Sequence, residues 1–303
     1  MLKSNKEQKE FVIIDGSWYI FNKYYATISY FKQKNKDKNF ELDDPTKNEE
    51  FIEDFKISFL ETIKKLDQTL NIRNPTIIVG KDCKRRNIWR MELYKDYKSN
   101  RKDHPYLSFF FKLAYEELYK EAGVNKILTH DKLEADDCIA LYTKFLNDKY
   151  PNCKIKIMTT DADYFQLIKS NIEIIKPEKR KELTDPYTFI STNIGICDPE
   201  EQLFCKICSG DKSDNIQNIH PGCGPKTALK YYKNKKLFEE ILKNEDIKEI
   251  YERNKEIIDM NNIPDNLKKE FFDTNFSNKR DNPFYNLRNT KNINYNNKKQ
   301  KCY

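Results

Sequence analysis

Glycine is scarce in this chain: it has seven in 303 residues, and three of those fall between Gly210 and Ala228. There they stand beside Asp211, Asp214, Pro225 and Lys226, so a residue used sparingly is concentrated next to paired acids. Long apolar runs are missing too. The best of them, such as residues 106–115, are short and broken by Ser or Lys, which excludes a membrane-spanning helix and predicts no membrane partner. The opening Met-Leu-Lys-Ser-Asn-Lys-Glu lacks the apolar core of a signal peptide, so the expectation is a soluble, unsecreted protein. Eight cysteines without such a leader predict free thiols in a reducing compartment rather than a disulfide framework. Zinc spacing is nearly absent. Cys205-Lys-Ile-Cys208 with His220 and Cys223 is the one set to test, and two half-buried thiols on a helix starting near Pro199 is the simpler reading.

Excess charge is thin outside the end of the chain. The net charge is +7, but residues 275–303 hold seven Lys or Arg against one Asp, which places +6 of it there. In the nearly balanced remainder, residues 81–102 carry nine basic and three acidic side chains, and residues 226–236 carry five basic and none acidic. Two local basic patches thus face a neutral or acidic body, and for nucleic-acid binding that distribution matters more than the total.

What is present is alternation. Runs rich in β-formers at 11–14, 76–79, 126–129, 154–158 and 172–175 each lead into a polar turn and then a helical pattern. Helices are predicted over 48–70, 106–122, 133–147, 200–209 and 225–232. The fold class is α/β, a mainly parallel central sheet flanked by helices. With 38% apolar and 13% aromatic residues, the chain has enough to bury a core. Past Lys233 the strand patterns stop. Residues 1–197 therefore read as the α/β domain, 198–274 as a helical subdomain, and 275–303 as a basic, Asn- and Lys-rich, loosely ordered tail.

Open parallel sheets bind ligands just beyond the carboxyl ends of their strands. Each candidate strand here runs into carboxylate. Asp15 follows the first, Asp82 the second, and Asp161 and Asp163 the fourth; after the third, His130-Asp-Lys leads into Glu134-Ala-Asp136-Asp137 in a first helical turn. Glu134 and Asp137 share a helix face, with Asp136 about 100° from Asp137. Any single acid is ordinarily solvated surface, and acids in a first turn complement the helix dipole. Delivery by strand after strand to one sheet edge is the part chance does not explain. So many close carboxylates cannot all stay ionised without cations. Oxygen-only ligands favour Mg²⁺ or Mn²⁺ over zinc, and two such ions about 4 Å apart bind the attacking and leaving oxygens of a phosphodiester displacement. Hydrolysis of nucleic acid is the inferred chemistry.

After Asp82 come Lys84-Arg85-Arg86-Asn-Ile-Trp89-Arg90 and Tyr94-Lys-Asp-Tyr97-Lys98-Ser-Asn-Arg101-Lys102. Basic side chains there can bind phosphates while aromatic faces receive unstacked bases. A solvated amphipathic helix explains the composition equally well, and it is the position beside the acids that favours binding. Further on, Gly222 and Gly224 let backbone approach a phosphate, Pro225 suits a first helical turn, and Lys226 adds charge.

These motifs, in order, resemble the flap endonuclease and 5′-to-3′ exonuclease family, most closely its phage-type ribonuclease H branch. The likeness rests on Ile-Ile-Asp15-Gly, Asp82 with Trp89-Arg90 and Tyr97-Lys98-Ser-Asn-Arg101, Glu134-Ala-Asp136-Asp137, Asp161-Ala-Asp163-Tyr-Phe-Gln-Leu and Gly210-Asp211-Lys-Ser-Asp214-Asn. It runs from about residue 12 to 232, and weakly into 262–267. It implies a PIN-like or resolvase-like nuclease fold, a helical arch at about 83–123, and a helix-hairpin-helix in the helical subdomain. It implies two metal sites: Asp15, Asp82, Glu134 and Asp136 nearer one, Asp161, Asp163, Asp211 and Asp214 nearer the other, with Asp137 between them or outside. The implied ions are two Mg²⁺, Mn²⁺ substituting, and K⁺ at the hairpin. Lys98 and Arg101 become catalytic contacts to the scissile phosphate. Arg85, Arg86, Arg90, Gly222, Gly224, Lys226, Thr227 and Lys230 become DNA contacts. Implied substrates are 5′-flap, nicked or RNA-primed duplexes, met by a monomer in the cytoplasm, that of a host cell if viral, with single-strand-binding protein as a replication partner.

One departure stands out: Ile216-Gln-Asn-Ile-His-Pro-Gly-Cys-Gly224 is one residue longer than the family hairpin and lacks its first Pro-Gly, so the hairpin's shape is expected to differ at 217–220. A PIN-type ribonuclease would lack this hairpin and the long arch segment. A DNA-binding protein without catalysis would lose some of the carboxylates, and here every position is filled.

Overall fold

The strands are β1 (Glu10–Asp15), β2 (Thr76–Gly80), β3 (Lys126–Leu128), β4 (Lys154–Met158), β5 (Ile172–Pro177) and β6 (Tyr187–Ile190). They come from a computed structural model that describes residues 8–35, 44–102, 104–177, 187–191 and 198–276. From residue 277 onward the expected tail lies outside the described residues. One sheet has the order β3-β2-β1-β4-β5-β6, parallel throughout except for β6 on β5. The order reverses between β1 and β4, which opens a crevice at their carboxyl ends.

Alternation along β1 feeds two cores. Val12 and Ile14 face α1 (Gly16–Lys34), α2 (Glu49–Lys64) and the short α3 (Leu66–Thr69). Asn48 starts α2 by accepting from the Phe51 N–H at 2.9 Å, and Phe51, Phe55, Phe59 and Ile63 bury one stripe of it. The short α4 (Arg90–Leu93) lies at the base of the segment that follows β2. On the Val12 side, too, α5 (Leu107–Leu113) and α6 (Tyr119–Glu121) are joined through a π-helical turn at Ala114–Leu118.

Phe11 and Ile13 face α7 (Ala135–Lys149) and the last helix of the chain. Between these come α8 (Pro199–Ser209), α9 (Pro225–Lys233), α10 (Lys235–Ile241) and α11 (Glu245–Ile258), which gather their own cluster around Cys208, Ile219, Cys223, Ala228 and Tyr231.

Two features differ from the sequence reading. Neither α1 nor β6 was among the predicted elements. The helical subdomain expected over 198–274 ends earlier, because Met260, Ile263 and, on α12 (Asp265–Asn275), Leu267, Phe271 and Phe272 join the core under α7. The spacing of those residues marks a buried stripe, but it does not say against what. Among the described residues no helix is long and apolar enough to cross a membrane. A cavity of about 620 Å³ opens at the amino ends of the strands, among Lys9, Arg73, Lys126, Phe145 and Phe276, at the pole opposite the acids.

Candidate active site

Each acid is placed by a local device. Asp15 ends β1 and caps α1, its Oδ1 accepting from the Trp18 N–H at 3.1 Å. Asp82 Oδ1 accepts from the Ala135 N–H at 2.7 Å, in the first turn of α7. Gly80 permits that approach, since a Cβ there would lie 2.7 Å from the Ile139 side chain and 2.9 Å from the Ala135 carbonyl. Glu134 is the N-cap residue of α7, with Asp136 and Asp137 in the turn that follows. Asp161 caps the 3₁₀ turn Ala162–Leu167, accepting from the Asp163 N–H at 2.9 Å. Asp211 exchanges backbone hydrogen bonds with Ile216 at 2.8 and 2.7 Å, closing the loop that holds Asp214.

The carboxylates gather in two groups. Oxygens of Glu134, Asp136 and Asp137 lie within 4.8 Å of one another, as do those of Asp163, Asp211 and Asp214. Asp15, Asp136, Asp161 and Asp82 all act electrostatically on the buried Tyr164 hydroxyl, so these four acids share one neighbourhood. Burial, then the Asp82 and Asp161 charges, pushes the Asp15 carboxyl up to about 7. Burial and Asp137 raise Asp136 well above the carboxylate range. Asp161 is raised by burial and by Asp214, against the Lys206 ammonium. Burial also works to raise Asp211, but Lys206 and two hydrogen bonds from Ser213 outweigh it and hold that carboxyl at about 2. Asp15, Asp136 and Asp161, raised by burial and by neighbouring acids and offering only oxygen, fit a hard divalent cation.

The segment after β2 folds its cations over these acids. Lys98 is buried with φ +55°, a strained value for a residue bearing a Cβ, and its ammonium bonds Glu134 and stands 3.6 Å from Asp214. Burial disfavours its charge, but Glu134, Asp214 and Asp136 hold it above the ordinary lysine range. Arg101 pairs with Asp214. Arg85 donates to the carbonyls of Lys98 and Arg101 and so braces the segment, while Arg86 is exposed. A cavity of about 510 Å³ opens beside them, bounded by Phe21, Asp82, Arg101, Phe111 and Tyr115 among others.

One assignment needs correction. Arg90, expected on DNA, is 3% exposed; it grips Asp137 with two bonds of 2.7 Å, Glu134 at 3.1 Å and the Ile257 carbonyl at 2.8 Å. Buried carboxylates draw it inward, because they would otherwise be uncompensated. Asp137, read as standing between the two metal sites or outside them, gives its oxygens to Arg90, to the Trp89 indole N–H at 3.0 Å and to the Glu134 N–H at 3.2 Å. It thereby anchors Glu134, while its oxygens stay within 4.8 Å of those of Glu134 and Asp136.

At the glycine-rich loop, α8 packs along α9. Gly210 and Gly222 have φ of +68° and +82°, and both Gly222 and Gly224 face open space. Lys226 and Lys230 are exposed; the half-buried Thr227 donates to the Gly222 carbonyl at 3.4 Å. The longer stretch at 217–220 is absorbed inward: Ile219 is buried, and the fully buried Asn254 of α11 donates to the Gln217 carbonyl at 2.8 Å and the Ile207 carbonyl at 3.0 Å. Cys208 and Cys223 lie in that apolar cluster, and one His220 nitrogen meets the Tyr231 hydroxyl at 2.9 Å. Burial pushes the Cys223 thiol up to about 11.

Sequence reasoning passed over Tyr164 and Lys206, and it read Tyr97, which is buried, as a face for unstacked bases. Tyr97 donates to Glu134 at 2.9 Å, Tyr164 to Asp15 at 3.1 Å, and Lys206 reaches Asp163 and, at 2.7 Å, Asp211. Tyr97 and Tyr164 sit inside the quoted motifs, where their hydroxyls were the available signal.

Residues 10–195 match the family described as 5′-3′ exonuclease, N-terminal resolvase-like domain. The 5′-3′ exonuclease of Mycoplasmopsis pulmonis is 30% identical over 245 residues, 80% of this chain and 72% of that protein. That of Buchnera aphidicola is 30% identical over 222 residues, 72% of this chain and 68% of that protein. Among solved structures, the bacteriophage T5 flap endonuclease in complex with DNA and metal ions matches with a TM-score of 0.58 at 17% identity, covering 87% of this chain and 96% of that one. The last likeness shows the fold.

Proposed function

Because this chain belongs to the 5′-3′ exonuclease family, we propose that it is a structure-specific, metal-dependent 5′ nuclease that hydrolyses phosphodiesters of DNA and RNA–DNA at replication junctions. The observation that carries this is the meeting of Lys98 and Arg101 with the carboxylates at the crevice between β1 and β4. Asp15, Asp82, Glu134 and Asp136 would hold one Mg²⁺, and Asp161, Asp163, Asp211 and Asp214 a second, with Mn²⁺ substituting. When bound, such ions supply Lewis acidity and lower the pKa of water.

The chain's own groups do the rest. Lys98 and Arg101 stay beside the acids through Glu134 and Asp214, placed to offset charge that grows on a phosphate during cleavage. Phe21, Phe111 and Tyr115 give an unpaired nucleotide apolar faces in the 510 Å³ cavity. Exposed Lys226 and Lys230, with open space over Gly222 and Gly224, suit a duplex backbone, and K⁺ held by the hairpin carbonyls belongs to the same helix-hairpin-helix reading. Arg86 is a further phosphate contact. The bacteriophage T5 flap endonuclease of like fold is a complex with DNA and metal ions.

The test is the double variant Asp161→Asn/Asp163→Asn on a labelled 5′-flap duplex with Mg²⁺. Cleavage should be abolished while DNA binding is largely kept; continued cleavage would show the metal assignment to be wrong.

A further inference from the structure

Tyr164 is fully buried in a cluster of aliphatic and aromatic side chains where a phenylalanine would fill the same space. Its hydroxyl therefore needs a reason of its own, since an unbonded phenol in such a place is costly. The partner is Asp15 Oδ2 at 3.1 Å. Asp15 ends β1, whereas Tyr164 stands in the turn Ala162–Leu167, which also carries Asp163 and is capped by Asp161. One hydrogen bond thus ties the first acid of the site to the segment that bears two others. We propose that Tyr164 is a positioning residue whose hydroxyl sets the spacing between Asp15 and the Asp161–Asp163 turn, and through it the affinity of the site for divalent cations.

This rests on the metal-site reading above. Asp15 otherwise accepts from the Trp18 N–H at 3.1 Å on Oδ1 and meets the Thr159 hydroxyl at 3.5 Å on Oδ2. A carboxylate has about four acceptor positions, so these contacts leave capacity for a cation shared with Asp82 and Asp161, whose charges both reach Asp15. Loss of the hydroxyl removes the shorter tie between Asp15 and the turn without opening a cavity, and leaves only the longer link through Thr159, whose oxygen accepts from the Asp161 N–H at 3.1 Å. Hydrogen bonds that orient a ligating side chain typically change metal affinity by about 10–100-fold.

The experiment titrates Mn²⁺ into the full chain by calorimetry, without nucleic acid, and follows thermal melting in parallel. Tyr164→Phe should bind Mn²⁺ about 10-fold more weakly while remaining cooperatively folded, and Mg²⁺-dependent flap cleavage should shift to a correspondingly higher Mg²⁺ concentration with its plateau largely kept. Asp15→Ala, which removes the acceptor, alone and combined with Tyr164→Phe, closes the cycle: once Asp15 is changed, removal of the hydroxyl should cost no further affinity. Wild-type Mn²⁺ affinity in Tyr164→Phe, whatever its melting temperature, or additive losses in the double variant, would overturn the proposal. Failure of the unsubstituted protein to bind Mn²⁺ would instead overturn the metal-site reading itself.

Discussion

Asp15 shows how one residue serves fold and site at once: its backbone ends a strand, one oxygen caps the next helix, and its carboxyl stands among other acids. Held at about 7 in the folded chain without metal, against 3.8 unfolded, it keeps a proton that the unfolded chain has lost between those values. Stability from this group is therefore lost as pH rises from about 4 to about 7. Asp136 and Asp161, also raised, act in the same direction; Asp211, held at about 2, contributes a constant amount above pH 4. His130, lowered by burial, opposes the trend, but equally in a variant that keeps it. The melting temperature of the chelated protein should fall between pH 5 and 7.5 by several degrees more than that of Asp15→Asn, and Mg²⁺ should reduce the difference. Parallel melting curves for the two proteins would contradict this.

Residue type at each acid position was legible in the sequence, because strand ends and spacing announce themselves. The fate of Arg90 was not. Composition places it in a basic stretch, whereas the demand of two buried carboxylates for a counter-charge takes it inside.

At the scale of elements, the loop between α8 and α9 depends on Gly210. Its φ of +68° and ψ of −172° lie where only glycine is at ease, and a Cβ would come 2.4 Å from the Ile216 carbonyl oxygen and 2.6 Å from that of Gln217. Gly210→Ala should lower stability by about 1–3 kcal/mol and weaken cleavage by displacing Asp211 and Asp214; a wild-type denaturation midpoint with wild-type activity would contradict it. The sequence showed glycine clustering here, with Gly210 at a helix end beside two acids and Gly222 and Gly224 in the hairpin. It could not show that Asn254, far along the chain, holds the inserted residues from behind. Short-range patterns located α2, α7, α8 and α9 closely. They missed α1, whose buried Tyr19, Ile20, Tyr24, Thr27 and Phe31 keep helical spacing but stand among further apolar and aromatic residues that blur the stripe, and they could not foretell that α12 returns to the α/β core.

Across the whole molecule, the parallel sheet and its acid-lined edge were legible because strand, turn and acid recur in order along the chain. The pairing order was not, and it is the reversal between β1 and β4 that turns separate acids into one crevice. Lys98 and Arg101 of the segment after β2 close over that crevice, and the cavity of about 620 Å³ lies at the far pole. The most direct measurement is cleavage of an end-labelled 5′-flap duplex by the full chain, with Mg²⁺ and with excess chelator, beside nicked, RNA-primed and single-stranded controls. Cleavage at or near the flap junction that requires Mg²⁺ and prefers junction substrates over single strands is the expected result; Mg²⁺-independent cleavage, or none on any substrate with Mg²⁺ present, would contradict a metal-dependent 5′ nuclease.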